Sequence, residues 1–373
     1  MYSQVWEYIG RAATRGGSLT LPARTHVFAH LALMPRPATT DNRYVTPLLR
    51  KAALGALVVT IAAVMNPVAH QSTAEASSSS IAHPCGRVSH PAPTTHVIWI
   101  WLENHSRSQV IGKPGSSVAR AMPTLNRLAR LCGEASNYRA VTHPSLPNYL
   151  AAVTGQRTGL PTATCSPAQC PQSGPTLFSQ IETAGINWRT YAESMPAACS
   201  RTGVGRYAPR HNPAVYFRAL RSSCLKRDLP LGPPTNSDLA RRLTQGTLPG
   251  FTWIVPDLCD SGHDCSRTTA DQWLTTWMTP LLTSRNYVSG NTVIFITWDE
   301  GKGGVGGQNC RTADDVSCDI STVVMSPSTR PGTVSSTRFD HVSLLRTTEQ
   351  LLRLPATLGE VPTSASMRAA FNI

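Results

Sequence analysis

Two apolar runs in the 373-residue chain end in paired oxygen donors. Glu103 and Asn104 close THVIWIWLEN (95–104), and Asp299 and Glu300 close NTVIFITWDE (291–300). A single acid in such a place is more often a loop or helix-cap residue. Two pairs that converge would suit a divalent cation, because carboxylates offset its charge and an amide carbonyl can complete its shell. An all-oxygen set leaves Mg, Mn, Ca and Fe open. A third segment, VTHPSLPNYLAAVTG (141–155), frames Ser145 between Pro144 and Pro147 just before a helix-like run. That turn would expose the hydroxyl at a helix N-terminus, where orphan N–H groups and the dipole favour an anionic phosphoryl group. Taken alone, Ser145 reads better as a helix cap, and only the neighbouring acids give it chemistry.

These residues need elements to hold them. Residues 95–104 form a dense apolar, β-branched run of the kind expected for a strand buried on both faces. Leu125, Leu128 and Leu131 lie at helical spacing, with Pro123 near the start and Gly133 as a stop. The alternation then recurs: a helix at Leu177–Ile181 and the strand INWRTYAE, a helix at DLARRL and the strand FTWIVP, a helix at QWLTTWMTPLL and the strand NTVIFITWDE, and finally STVVMSP before the helical HVSLLRTTEQLLRL. Such alternation predicts an α/β sandwich with a mostly parallel central sheet flanked by helices, in a single domain. In such a sheet the ligand crevice lies at the carboxyl ends of the strands, where Glu103 and Asp299 stand. The glycine-rich GKGGVGGQNC (301–310) lacks the GK[ST] ending of a P-loop and reads as a flexible active-site or surface loop.

The rest of the chain bounds the setting. Arg43, Arg50 and Lys51 precede an apolar run from Ala52 to Met65, and Ala74-Glu75-Ala76 offers a small-x-small cleavage pattern, so residues 1–76 read as a leader with a signal peptide. The run is shorter than the ~20 residues that span a bilayer. Residues 1–42 fit no export signal and suggest a misassigned start, with Met34 as the alternative. Residues 77–94 read as a flexible lead-in, and 95–373 as the folded domain. All ten cysteines follow the leader and none forms a CxxC pair, which favours disulfides in an oxidising compartment over zinc. Cys165/Cys170, Cys259/Cys265 and Cys310/Cys318 are spaced as loop staples. The protein is therefore expected to be secreted or at the cell surface. The whole chain carries a formal net charge of +13; the leader's seven Lys/Arg and three Asp/Glu leave 27 against 18, or +9. That sign favours anionic substrates and peripheral attraction to anionic surfaces. The basic residues are scattered without interleaved aromatics, so nucleic acid is not an expected partner.

LENHS, THPSLPNYLAAVTG, PDLCDSGHDCS, FITWDEG and FDHVSLLRTTE, in this order over roughly residues 95–355, resemble the phosphoesterase family that holds secreted acid phosphatases and bacterial phospholipases C. The likeness is nearest to its mycobacterial secreted acid phosphatases, which act on phosphomonoesters including phosphoinositides. That family resembles a branch of the alkaline-phosphatase superfamily, whose TFPN-type turn carries a Ser or Thr nucleophile. The matching SLPN implies Ser145 as nucleophile, Asn148 as a stabiliser of the phosphoryl oxygens, and metal binding by Glu103, Asn104, Ser145, Asp299 and Glu300.

The physical reading agrees. A serine hydroxyl is a poor nucleophile at its free pKa, and a divalent cation lowers that pKa and fixes the oxygen in line with phosphorus. A phosphoserine intermediate follows, and a histidine would protonate the departing alkoxide. His211 in PRHNP, His263 in SGHDC and His341 in FDHVS compete for that role, and each reads equally as a hydrogen-bonded structural histidine. His143, next to the turn, would orient it. The family's N-D-M-H-D pattern is altered here to Asp260-Ser261-Gly262-His263-Asp264, which leaves open whether Asp257, Asp260 or Asp264 meets metal or substrate. The expected function is a metal-dependent phosphomonoesterase acting on a small-molecule or lipid phosphate ester. A phosphodiesterase or phospholipase C on the same site is the alternative, and a non-catalytic secreted protein binding anionic polymers is the second.

Overall fold

The computed structural model describes residues 81–312 and 314–373. The expected leader, the suggested misassigned start within it and the first residues of the lead-in lie outside the described residues. Nine strands form one sheet: β1 (His96–Leu102), β2 (Gly133–Arg139), β3 (Trp188–Ala192), β4 (Asp228–Pro230), β5 (Phe251–Val255), β6 (Thr292–Trp298), β7 (Asp319–Met325), β8 (Thr333–Ser335) and β9 (Phe339–Asp340). Their order is β4-β3-β5-β1-β6-β7-β2-β8, with β9 also on β2. β7 runs antiparallel to both its neighbours and the other pairings are parallel, so the mostly parallel expectation holds.

The most apolar strands take the centre. Every residue of β5 and β6 is buried, as is all of β1 after His96, because helices cover both faces. The longer helices are α1 (Pro123–Leu131), α2 (Ser145–Thr154), α3 (Leu177–Thr183), α4 (Asp238–Gln245), α5 (Arg267–Thr283) and α6 (His341–Leu351). α1 begins with Pro123 at its first turn and buries Leu125 and Leu128, as its spacing predicts. All ten residues of α2 are buried, consistent with its lack of a polar face, and α6 packs against it. Among the described residues no helix is long and apolar enough to cross a membrane.

Two features depart from the sequence reading. β2 (GEASNYR) is too polar to read as a strand. It is one because its polar side chains find partners: Glu134 pairs with Arg107 at 2.7 Å, and Ser136 and Asn137 donate to the carbonyls of Ser335 and Ser336. The lead-in is held to the domain from Pro84 onward. Cys85 is bonded to Cys132, the Tyr287 hydroxyl donates to the Pro84 carbonyl at 2.8 Å, and the Arg87 amide donates to the Pro327 carbonyl. The three short-range disulfides form as their spacing suggests, and Cys199–Cys224 is the fifth; no described cysteine is free.

One buried ion pair ties the site-bearing helices together. Just after α2, Arg157 forks onto Asp340 (Nε–Oδ2 2.7 Å, Nη2–Oδ1 2.9 Å) and reaches Glu360 at 3.2 Å. Asp340 in turn caps α6 by accepting the Ser343 amide at 2.9 Å. Burial opposes the Asp340 charge, but the Arg157 bonds outweigh it and hold the carboxyl below its ordinary 3.8. Arg157→Ala strands that carboxylate and is expected to cost about 3 kcal/mol at neutral pH, read from denaturant midpoints. A depressed carboxyl pKa stabilises above its unfolded value. The wild-type advantage should therefore shrink as pH falls below 3.8.

Candidate active site

Parallel neighbours end at the same sheet edge, and here four strands in sequence along the edge are each followed by an acid: Glu193 after β3, Asp257 beyond β5, Glu103 after β1 and Asp299 after β6. Leu102 is in register with Trp298, so Glu103 and Asp299 are brought side by side. Asn104 turns the chain away with φ of 49°, a left-handed conformation that asparagine tolerates, and its amide donates to Asp299 Oδ1 at 3.3 Å. The head of α2 meets this pair. Ser145 Oγ donates to Glu103 Oε2 at 3.1 Å and also lies against Asp299. One turn on, the Tyr149 hydroxyl donates to Glu103 Oε1. His211 Nε2 stands 3.3 Å from the same oxygen, without hydrogen-bond alignment, and its ring stacks on Tyr149.

Glu300 faces a different set of partners. Its Oε2 meets His143 Nδ1 at 3.0 Å and accepts from Asn148 Nδ2 at 3.0 Å. Asn148 also donates to the Thr142 carbonyl at 2.7 Å, while its Oδ1 accepts the amides of Val141 and Thr142 at 2.9 and 3.1 Å. Both ends of this amide are thus engaged in bracing the turn that delivers Ser145. His143 Nε2 contacts Ser317 Oγ at 3.1 Å, and a side chain at Gly304 would collide with the imidazole, which explains a glycine there.

The three competing histidines separate by environment. His341 Nε2 donates to the Asp299 carbonyl at 2.6 Å, which leaves Nδ1 to accept from the Tyr138 hydroxyl at 3.2 Å. Burial lowers its pKa to about 4, so it is neutral and positions Asp299. His211 is held well below its usual pKa, first by burial and then by Arg210. His263 is partly exposed; its Nδ1 meets Asp264 Oδ1 at 2.6 Å and its Nε2 lies 3.3 Å from Arg210 Nη2. Its ring centre is 5.9 Å from that of His211.

Asp257 and Asp260 are placed with Glu193, beyond the end of β5, one strand over from Glu103. Asp257 is occupied in shaping its loop: it accepts the amides of Cys259 and Asp260 and the hydroxyl of Ser194. Asp264 is exposed and bound to His263. The His143–Cys310–Cys318 and Cys199–Cys224–Asp228 groups offer no thiolate, since their sulfurs are paired in disulfides. Sequence reasoning missed Tyr149 and Arg210, though both lie inside segments already singled out, Tyr149 at the i+4 position from Ser145.

The donor set fits a divalent cation on three observations. Burial, then Asp299, pushes Glu103 well above the ordinary carboxylate range. Burial, then Glu300, raises Asp299 to about 7, and burial raises Glu300 to about 8. Among the described residues none of the three has a lysine or arginine in ion-pair contact, so protons or a cation must balance them. Asp299 Oδ2 is buried without a partner. Finally, the head of the Asn104 side-chain amide lies 3.3 Å from Asp299 Oδ1 and 2.7 Å from Glu103 Oε2. Turned one way this amide donates to both carboxylates, and turned the other way its oxygen would complete a cation's shell, so it stands where a further ligand is needed.

A model of the Phosphoesterase family matches residues 100–355. The chain is 30% identical over 266 residues to the phosphatidylinositol-3-phosphatase of Mycobacterium tuberculosis, covering 70% of this chain and 78% of that protein. It is 31% identical over 174 residues to an acid phosphatase of Aspergillus fumigatus (44% of this chain, 37% of that protein). It is 24% identical over 213 residues to the hemolytic phospholipase C of Pseudomonas aeruginosa (47% and 29%). The chain thus spans most of the mycobacterial protein but well under half of the other two. An alkaline-phosphatase-superfamily protein from Vibrio parahaemolyticus shares the fold, with a TM-score of 0.50 at 12% identity over 81% of this chain and 80% of that one. The family match and the mycobacterial relative agree: the chain belongs to the Phosphoesterase family and is a phosphoric ester hydrolase.

Proposed function

We propose that this chain is an exported, metal-dependent phosphomonoesterase of acid-phosphatase type in which Ser145 attacks phosphorus and carries the phosphoryl group as phosphoserine. The observation that carries the reading is the Ser145 Oγ–Glu103 Oε2 bond of 3.1 Å at the head of α2, beside Asp299. A divalent ion, when bound, would lower the serine pKa and offset phosphoryl charge. Glu103, Asn104, Ser145 and Asp299 would hold it, with Glu300 adjoining through His143 and Asn148.

The chain's own residues do the rest. Glu103 Oε2 is the acceptor for the serine proton as Oγ attacks. The N-terminus of α2 offers amides and a favourable dipole to the phosphoryl oxygens. His263 protonates the leaving alkoxide: of the three histidines it alone reaches solvent, and Asp264 holds its Nδ1. Its Nε2, which rests against Arg210 Nη2 in the free protein, carries the proton once Arg210 turns to the substrate anion. In the second half-reaction the neutral His263 takes a proton from water, which cleaves the phosphoserine. The five disulfides suit an oxidising compartment and support export. Substrates are phosphate monoesters, phosphoinositides among them, as the name of the mycobacterial relative suggests. Purified protein is expected to hydrolyse an aryl phosphate monoester faster than the matching diester. The reverse order would move the site to phosphodiesterase or phospholipase C chemistry, and folded protein that cleaves neither would leave a binding role.

A further inference from the structure

A cavity of about 430 Å³ opens beside the reaction centre. One wall is the loop stapled by Cys165–Cys170, and the other carries Arg201 and Arg210. No aspartate or glutamate lines it, while Thr164, Ser166 and Thr202 contribute hydroxyls. Among the described residues neither guanidinium has a carboxylate in ion-pair contact, whereas Arg107, Arg157, Arg189, Arg227 and Arg242 each do. Arg201 is fixed by donating from Nη2 to the Pro167 carbonyl at 2.8 Å, and its Nε is buried without a partner. Two unpaired, partly buried guanidiniums in a pocket without acids form a site for an anion, since the planar fork matches phosphate oxygens and the low local dielectric strengthens the contact.

The cavity is connected to the chemistry. Arg210 directly precedes His211, which faces Glu103, and Arg210 Nη2 lies 3.3 Å from His263 Nε2. The Arg210 charge is felt at both Glu103 and Glu300. The roles proposed above for Ser145 and His263, together with the Arg210–His263 contact, put the cavity on the side of the departing alcohol. Its size suits a small polar group.

We propose that this cavity is a second anion subsite, in which Arg201 and Arg210 bind a further phosphate carried by the alcohol half of the substrate, so that the preferred esters bear two phosphoryl groups. The subsite rests on the phosphomonoesterase reading for its link to turnover, but its occupancy can be measured without turnover.

The test has a binding arm and a kinetic arm. In the binding arm, catalytically silent Ser145→Ala is titrated with a hexose bisphosphate and with the matching hexose monophosphate. The bisphosphate is expected to bind about tenfold or more tightly, and adding Arg201→Ala to remove that advantage. Arg201→Gln, which keeps a polar side chain but loses the charge, should behave alike, and an unchanged thermal midpoint in both variants guards against a folding defect. In the kinetic arm, single Arg201→Ala should raise KM for the bisphosphate about tenfold and leave p-nitrophenyl phosphate within about twofold. A short-chain phosphatidylinositol monophosphate, whose diester is the second anion, separates sources: an Arg201-dependent gain on both probes assigns the subsite to any second phosphate, and a gain on the lipid alone assigns it to the headgroup diester. Equal binding of bisphosphate and monophosphate, with no gain for the lipid and no effect of Arg201, would overturn the subsite. Absence of hydrolysis with Arg201-dependent binding intact would instead overturn the phosphomonoesterase reading.

Discussion

Ser145→Ala is expected to lower kcat on an aryl phosphate by about ten-thousandfold or more, with KM little changed. The size follows from the absence of a substitute. The nearest hydroxyl on the same carboxylate is Tyr149, which is buried, donates to Glu103 and has its pKa raised well above 10.0 by burial, so it is a poor nucleophile. The fold should survive. Ser145 is the first residue of α2, its cap is Pro144, and the turn before it is held by Asn148 and by the His143–Glu300 contact. An intact thermal midpoint beside lost turnover separates a chemical role from a structural one.

The second large effect is expected at the cation. Removal of metal by a chelator should abolish turnover, and a divalent ion should restore it. Asp299→Ala should leave protein that neither retains the metal on gel filtration nor recovers on adding it. The loss should exceed the roughly hundredfold typical of an outer partner to a ligand. Asp299 has the strongest claim: its Oδ2 is buried without a partner, its Oδ1 lies beside the Asn104 side-chain amide, and His341 holds its carbonyl in place. Stoichiometric metal in Asp299→Ala, measured by elemental analysis, would place the ion elsewhere, for which the Glu193–Asp257–Asp260 group is the nearest acidic alternative.

Much of this centre was legible in the sequence because it lies where pattern and chemistry coincide. Glu103 and Asp299 each interrupt a run of apolar residues, and parallel pairing of β1 with β6 then makes them neighbours. Ser145 was marked by its two prolines and its position before an apolar helix. Short cysteine spacings foretold three bridges, whereas Cys85–Cys132 and Cys199–Cys224 join segments whose proximity only the fold creates. β2 was illegible because its polar residues are satisfied by distant partners such as Arg107. The histidines could not be sorted from sequence either. His341 and His263 sit in equally suggestive motifs, and their difference is one of burial: both nitrogens of His341 are engaged inside the protein, while His263 reaches solvent. Asn148 and Glu300, expected at the phosphoryl group and the metal, also bond to each other, and Asn148 to the turn, a bracing role that no spacing in the sequence announces. Arg210 went unnoticed beside His211 because an arginine becomes informative only when it lacks an acidic partner.

The central claim is that Ser145 carries the phosphoryl group. The most direct measurement is acid quenching of enzyme and substrate during the first turnover, followed by mapping of phosphorylated peptides by mass spectrometry. The prediction is phosphate on the peptide containing Ser145 in wild type and on no peptide in Ser145→Ala. Phosphate on a different side chain, or turnover by Ser145→Ala at the wild-type rate, would contradict it.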